Sequence, residues 1–186
     1  MKKHLFLSMM ALMVIMTSVS CTKTLDLSDL DGGDVEGYVD MGLSVKWKTH
    51  NVGAERPEQC GGYYDYQKMK SSFDNIPTKE QAEELLANCK VKRACLKGKY
   101  GVMLTSNITN KSIFFPYGGL YNGGEFIKGK DAYLWTITSD TSAGWEAEAW
   151  IVYFNQVLFE KQYPDGIQYH VTKAGTDIRM NVRQVK

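Results

Sequence analysis

The sequence predicts an α+β domain dominated by antiparallel sheet. One early segment has apolar residues at helical spacing behind a helix-capping pattern, while the later segments are of strand length, and the last of them, 178–185, alternates apolar and polar residues. Glycine pairs separate several of those stretches, as turns between antiparallel strands require. One helix followed by a series of short strands is typical of the α+β class, in which helices cover one side of an antiparallel sheet.

The first predicted element is a strand over residues 38–47. Apolar side chains alternate there with Asp40, Gly42, Ser44 and Lys46. A period of two places one face of such a strand against the core.

The one predicted helix covers residues 78–89, after a glycine-containing loop over 51–62. Thr78 is suited to cap its first turn, and Gln81 completes a capping box. The apolar stripe of this helix consists of Ala82, Leu85, Leu86 and Cys89.

The rest of the chain is predicted to form strands and turns. Residues 100–105 and 112–115 form a predicted hairpin around 107–111. Further strands are predicted over 133–138, 147–154, 157–159, 167–172 and 178–185. The helix therefore has mainly antiparallel strands to cover.

The N-terminus has the layout of a bacterial export signal. Two lysines precede an apolar run over 5–15, and small residues occupy 17–20 directly before Cys21. The apolar run is shorter than the roughly 20 residues that a membrane-spanning helix needs, which favours a signal peptide over residues 1–20.

Cys21 is the predicted lipid attachment site of a bacterial lipoprotein. Ser18 stands where a lipobox usually has Leu, so ordinary cleavage near Ser20 with Cys21 as a plain thiol is the alternative. Acyl chains such as palmitate contribute about 0.8 kcal/mol per buried methylene, so two or three of them anchor a protein stably. We expect the acidic residues 21–37 to form a flexible tether, residues 38–186 to form one domain, and the anchor to lie in the outer membrane or at the cell surface, with the periplasmic face as an alternative.

Composition argues against several functions. The chain has 22 basic and 21 acidic residues, and the predicted signal contains two of the basic ones, so the exported part is nearly neutral and no nucleic-acid partner is expected. Beyond the signal the only histidines are His50 and His170, and no CxxC or HxxxH spacing occurs, so neither a metal site nor a cofactor is predicted.

Three cysteines remain if Cys21 carries lipid, namely Cys60, Cys89 and Cys95. In an oxidising compartment at most one disulfide can form among them. The spacing leaves both a bridge from Cys60 to Cys89 and a bridge from Cys89 to Cys95 open.

A series of short motifs resembles one domain family. The stretches are YVDMGLSVKW at 38–47, NVGA at 51–54, IPTKE at 76–80, ELL at 84–86, SIFFP at 112–116, GG at 118–119, YLW at 133–135 and VRQV at 182–185. In this order they resemble the Fibrobacter succinogenes major paralogous domain family, which is abundant in lipoproteins of Bacteroides-like bacteria.

The chain departs from that family in its middle. The aromatic, glycine-rich region, which often holds a WGE motif, is reduced to GYYDY at 62–66, and Asn75 and Ala82 replace an Arg and a Trp beside the helix start. The resemblance implies a fold related to C-type lectins and formylglycine-generating enzymes, without an assigned activity. The predicted class is therefore an α+β, C-type-lectin-like domain with one amphipathic helix over 78–89.

The function predicted is binding without catalysis. No catalytic motif occurs, whereas aromatic side chains in loops suit the CH-rich faces of sugar rings and are enriched at interfaces. The partner expected is a glycan or an envelope protein. The predicted ligand-binding residues are Tyr63, Tyr64, Tyr66, Tyr117, Tyr121 and Trp145.

Two alternative functions stay open. One is an enzyme acting on a polysaccharide, with Asp65, Glu146 and Glu148 as candidate carboxylates. The other is a structural subunit of a surface appendage. The enzyme is less favoured, because the chain has no nucleophile elbow and few histidines.

Overall fold

The computed structural model describes residues 24–25, 30, 33–127, 129–142, 148–157 and 166–186. The predicted signal peptide, Cys21, Trp145 and Glu146 lie outside these ranges. Neither of the helices in the described part of the chain is long and apolar enough to cross a membrane.

The described chain contains eleven strands and two helices. The strands are β1 Thr24–Leu25, β2 Tyr38–Val39, β3 Trp47–Lys48, β4 Cys89–Leu96, β5 Lys99–Ser106, β6 Ser112–Pro116, β7 Leu120–Asn122, β8 Glu125–Ile127, β9 Asp131–Asp140, β10 Glu148–Gln156 and β11 Ile167–Gly175. The helices are α1 Tyr66–Ser72 and α2 Lys79–Ala87.

These strands form four small sheets. One sheet has the order β1-β4-β5-β6, a second has the order β11-β10-β9, and two ribbons are formed by β2-β3 and β7-β8. The β1–β4 pairing is parallel and the other strand pairings are antiparallel. β1 lies within the predicted tether, so these two residues contact the domain.

The predicted α+β, C-type-lectin-like class with a single helix over 78–89 is wrong. The described chain is mostly antiparallel β structure, and its helical residues are divided between α1, with 7 residues, and α2, with 9. The capping box of Thr78 and Gln81 is present at the start of α2. The helix ends at Ala87 because Cys89 already pairs with Ser106 in the β4–β5 hairpin.

Helix α1 was not predicted. Its N-cap is Asp65, whose carboxylate accepts a hydrogen bond from the backbone N–H of Lys68 at 2.7 Å. Only Tyr66 and Met69 of this helix are buried. They lie one helical turn apart, so the apolar spacing occurs only once. A helix this short has too few apolar repeats for periodicity to separate it from a loop.

The predicted strand over 38–47 is also wrong, although its alternation of burial is right. Val39 and Trp47 are buried, while Asp40 and Gly42 are exposed. The Asp40 carboxylate accepts a hydrogen bond from the Gly42 N–H at 2.9 Å, and Gly42 has a φ of +71°. The chain therefore turns after Val39, and its two ends pair as β2 and β3.

The later strand predictions are confirmed in part. The predicted hairpin is β5-β6, in which Thr105 pairs with Ser112, and three further predictions correspond to β9, β10 and β11. Residues 158–159 of another prediction lie outside the described residues. Residues 178–185 form isolated bridges to several elements instead of one strand.

The main core lies between α2, the four-stranded sheet and the three-stranded sheet. A second cluster packs α1 and residues 180–182 against Trp135 and other side chains of the three-stranded sheet. A smaller group, around Leu96 and Phe114, belongs to the four-stranded sheet. Both larger clusters depend on the C-terminal segment, which supplies Val185 to one and Val182 to the other.

Arg183 is a fully buried charge within this C-terminal segment. Its Nε donates to the Asn51 Oδ1 at 2.9 Å, and its Nη1 donates to the carbonyls of Phe114 at 3.0 Å and Thr49 at 3.3 Å. The guanidinium also lies 4.1 Å from the centre of the Phe115 ring. Burial lowers the pKa of Arg183 to about 9, which leaves it protonated at neutral pH.

Part of the predicted tether packs against the C-terminus. The Asp34 carboxylate accepts hydrogen bonds from the N–H groups of Glu36 and Tyr38, both at 3.0 Å, and lies 3.1 Å from the Lys186 ammonium. The Tyr38 N–H, followed by the Lys186 ammonium, lowers the pKa of Asp34 from 3.8 to about 2. This turn therefore ties residues 33–38 to the end of the chain.

Arg183→Met is expected to lower the free energy of unfolding by about 3 kcal/mol, because the buried acceptors of Asn51, Phe114 and Thr49 would lose their charged donor. Urea denaturation measures this loss. Arg179→Met is the control on the same segment. Arg179 is exposed and lies over the Tyr121 ring at 4.7 Å, so its loss should cost less than about 1 kcal/mol. Equal losses for the two variants would contradict the role assigned to Arg183.

Asp34→Asn is expected to flatten the acid dependence of stability. Because Asp34 is more acidic in the folded than in the unfolded chain, its contribution is present above about pH 4 and is lost as the pH falls toward about 2. The urea midpoint, followed from about pH 5 to about pH 2, should therefore fall less in the variant than in the wild type.

Asp74→Asn provides the matched control for this titration. Asp74 is exposed, and its carboxylate makes no hydrogen bond or ion pair with the described residues. Its variant should lose stability on acidification as steeply as the wild type. If the Asp34 variant follows the same curve, the contacts of Asp34 do not contribute to acid stability.

Candidate functional site

A pocket of about 650 Å³ lies at one end of the four-stranded sheet. The β4–β5 hairpin supplies Arg93, Lys99 and Tyr100 to its lining, and Tyr117 follows the end of β6. The loop before α1 supplies Cys60 and Tyr63. The lining is completed by Phe126 of β8, Gln156 of β10, Lys130 and the glycines Gly98, Gly118 and Gly129.

Tyr63 is fixed in this pocket by a hydrogen bond and by ring contacts. Its hydroxyl donates to the Gly118 carbonyl at 2.6 Å. The Tyr63 ring meets Tyr121 edge-on at 5.1 Å and Phe126 at 5.8 Å between ring centres. Tyr121 and Phe126 contact each other at 4.9 Å, so the three rings support one another as an aromatic wall.

Glycine is required where this wall meets the backbone. A Cβ on Gly118 would clash with the Asn181 side chain and come 3.3 Å from the Tyr63 hydroxyl. Gly119 has a φ of +68°, a conformation that side-chain-bearing residues rarely adopt. The glycine pair therefore allows the chain to turn beneath Tyr63.

Tyr117 is the polar group least satisfied in the pocket. Its side chain is 6% exposed, and its hydroxyl is buried without a hydrogen-bond partner in the described part of the chain. Burial raises the pKa of Tyr117, and the positive charge of Arg93 opposes that shift. The structure therefore leaves one buried hydroxyl unpaired next to the pocket.

Three cationic side chains line the pocket, and no acidic side chain does. Arg93 and Lys99 are half-buried, and Lys130 is exposed. None of them makes an ion pair within the described ranges. Their charges are therefore available to a ligand.

Asp131 is an acidic group behind this lining. A Cβ on Gly129 would clash with its carboxylate, which places that carboxylate beside the pocket. The carboxylate accepts a hydrogen bond from the Tyr133 hydroxyl at 3.4 Å, and burial raises the pKa of Asp131. One negative charge thus partly offsets the three positive ones.

The structure separates the tyrosines that the sequence predicted as ligand contacts. Tyr63 and Tyr117 line the pocket, and Tyr121 supports it through the aromatic wall. Tyr66 is buried, with its hydroxyl donating to the Ile137 carbonyl at 2.6 Å, and Tyr64 packs edge-on against Phe73. Those two are structural, and Trp145 lies outside the described residues.

Of the candidate carboxylates of the enzyme alternative, Asp65 and Glu148 do not line the pocket. Asp65 caps α1, and Glu148 lies 3.9 Å from the Lys173 ammonium at the start of β10. Glu146 lies outside the described residues. Among the residues that the structure describes, no three His, Cys, Asp or Glu side chains gather as a metal site would need.

The described cysteines are free thiols. Cys89 and Cys95 occupy the two ends of β4, which places their Cα atoms roughly 20 Å apart in a strand, far beyond disulfide reach. Burial raises the pKa of Cys89 to about 11. Cys60 is half-buried in the pocket, with its Sγ 3.9 Å from the Tyr117 carbonyl.

Sequence reasoning missed Arg93, Lys99, Tyr100, Phe126 and Lys130. The first three depend on the β4–β5 hairpin, whose two-residue turn has positive φ at both Lys97, at 46°, and Gly98, at 81°. Such turns are usually recognised by an Asn-Gly or Asp-Gly pair. Here the turn has the sequence Lys97-Gly98, in which only the glycine indicates a turn.

Comparison with protein-family models, with curated proteins and with solved structures finds no match to this chain. The site is therefore interpreted from its own geometry.

Proposed function

We propose that this protein is a lipid-anchored envelope protein whose domain binds a carbohydrate in the pocket at the end of the four-stranded sheet, without catalysing a reaction on it. The observation that carries the proposal is the aromatic lining of this pocket, to which Tyr63, Tyr100 and Phe126 contribute.

The shape and lining of the pocket suit a sugar. Its volume of about 650 Å³ falls within the roughly 300–1,000 Å³ of small-molecule sites. Tyr100 and Phe126 are 48% and 45% exposed and offer ring faces to a ligand. Aromatic rings bury apolar area while tolerating polar neighbours, and this combination fits a sugar ring with its CH-rich face and its hydroxyl edge.

The lining favours binding over turnover. Glycoside hydrolysis generally uses two carboxyl groups on either side of the scissile bond. The lining contains no Asp or Glu, and Asp131 lies behind it as a single carboxylate. A bound sugar would therefore be held among aromatic and cationic groups without an acid–base pair.

The envelope setting rests on the N-terminal sequence and on the family resemblance. The predicted export signal covers residues 1–20 and is followed directly by Cys21, and the major paralogous domain family is abundant in lipoproteins. The opening NVGA motif and the closing VRQV motif of that resemblance supply Asn51 and Arg183, which bond to each other in the core at 2.9 Å. The two family-like motifs at the two ends of the domain thus contact each other and stabilise the same part of the core.

Tyr100→Ala is expected to weaken binding to a responding glycan by about tenfold, since aromatic stacking partners contribute on the order of 1–1.5 kcal/mol. Glycan-array binding followed by calorimetry measures it. Tyr169→Ala is the matched control, because Tyr169 is 40% exposed on β11 and does not line the pocket. If both variants bind as the wild type does, the sugar site lies elsewhere.

Cys60 reports whether the ligand occupies this pocket. Saturating glycan should slow the alkylation of Cys60 by a neutral maleimide, while the buried Cys89 and Cys95 stay unmodified in both states. Unchanged alkylation of Cys60 in the presence of bound glycan would place binding outside the pocket.

Cys21→Ala is expected to abolish fatty-acid labelling and to release the exported protein from the membrane fraction. The reason is that no apolar segment follows the predicted signal in the sequence. Metabolic labelling with a palmitate analogue measures the first effect and fractionation the second. Cys60→Ala, which removes another thiol, should keep the label. Label that persists in the Cys21 variant would refute attachment at this residue.

A further inference from the structure

We infer that the ligand of this pocket is an anionic saccharide, one that carries a carboxylate or sulfate group, and that Arg93 binds the anionic group. This inference rests on the proposed function and adds the chemical class of the sugar. It starts from the distribution of charge around the pocket.

The positive charge of the pocket is local. The whole chain has nearly equal numbers of basic and acidic residues. Elsewhere in the described chain, some cations are ion-paired, such as Lys173 with Asp140 and Lys186 with Asp34 and Glu36. Arg93, Lys99 and Lys130 share one lining without a described ion-pair partner.

Arg93 is placed to bind an anion at a defined position. It lies on β4, where it pairs with Val102, and its Nη1 comes within 3.8 Å of the Cβ position of Gly166. Its side chain is half-buried, so water screens it less than it screens an exposed lysine. A guanidinium offers a planar pair of donors that matches a carboxylate or sulfate group.

Tyr117 lies in the same lining as Arg93. Burial raises the pKa of Tyr117, so its hydroxyl keeps its proton at neutral pH and adds no negative charge. The lining therefore contains no anionic group that competes with a ligand for Arg93.

Lys99 and Lys130 add attraction at the edge of the pocket. Flexible ammonium groups near solvent act at a distance and are screened by salt. Asp131, behind Gly129, removes part of this attraction, but its carboxylate is not in the lining. The balance still favours an anion over a neutral sugar.

The test uses the full chain, purified in detergent, with saccharides in matched pairs that differ in one kind of anionic group. Oligogalacturonate is compared with its methyl ester, and chondroitin sulfate with desulfated chondroitin, so that the two pairs distinguish carboxylate from sulfate. At least one charged form should bind about tenfold or more tightly than its matched form, and added salt should weaken that binding. Inorganic sulfate alone should compete only weakly, because it lacks the sugar.

Arg93→Gln should remove most of the preference for the charged form. Lys92→Gln is the matched control, since Lys92 is the exposed neighbour on the same strand and does not line the pocket. It should keep the preference. If Arg93→Gln fails to fold, the double variant Lys99→Gln and Lys130→Gln tests the same charge, and it should reduce both the preference and the salt dependence.

The outcomes separate this inference from the proposed function. Equal binding of the two members of both pairs, with binding still weakened in Tyr100→Ala, overturns the anionic class and leaves the carbohydrate site standing. Competition by inorganic sulfate as strong as that of the saccharides overturns the saccharide part. Binding of no saccharide by the folded wild type overturns both.

Discussion

The fold depends on one buried charge. The Arg183 guanidinium cannot return to water without unfolding, so its hydrogen bonds to Asn51, Thr49 and Phe114 fix the distance between the segment after β3 and strand β6. Uncompensated burial of a cation is costly. Here backbone and amide oxygens accept from its Nε and Nη1 in place of a carboxylate, while its Nη2 has no partner among the described residues, and the acceptors come from segments far apart in sequence. The C-terminus therefore joins parts of the chain that have no strand pairing with each other.

The hydrogen bonds of Arg183 are connected to the pocket through the side chain of Asn51. Its Oδ1 accepts from Arg183, and its Nδ2 donates to the Cys60 carbonyl at 2.9 Å. Two residues before Arg183, the Asn181 amide donates to the Gly62 carbonyl at 3.0 Å. The loop that contains Cys60 and Tyr63 is thus bonded directly by Asn181 and indirectly, through Asn51, by Arg183. A ligand would meet a preformed lining, which lowers the entropy lost on binding.

The sequence predicts those parts of the fold that carry a local signal. Strand β11 has alternating apolar residues, β9 and β10 contain continuous apolar runs, and the capping box of α2 is a contiguous signal. The predictions fail where a single residue determines whether the chain turns or changes from helix to strand. Gly42 turns a segment whose alternation is otherwise perfect, and Cys89 continues a helical stripe as the first residue of a strand. The segment over 178–185 does not keep the alternation of its sequence in its burial, since Asn181 and Arg183 are buried, and its bridges go to four different neighbours.

The pocket could be predicted only in fragments, because it depends on which strand ends converge. Tyr63 and Tyr117 carry a signal as aromatic residues near glycines, whereas Arg93 lies within a strand and has no neighbouring motif. Composition is equally uninformative about local charge. A nearly neutral chain argues against a broad basic surface, yet its acidic residues can be committed elsewhere, as Asp34 is to Lys186 and Asp140 to Lys173. Net charge therefore limits the size of a cationic surface and leaves open a small anion site within a neutral domain.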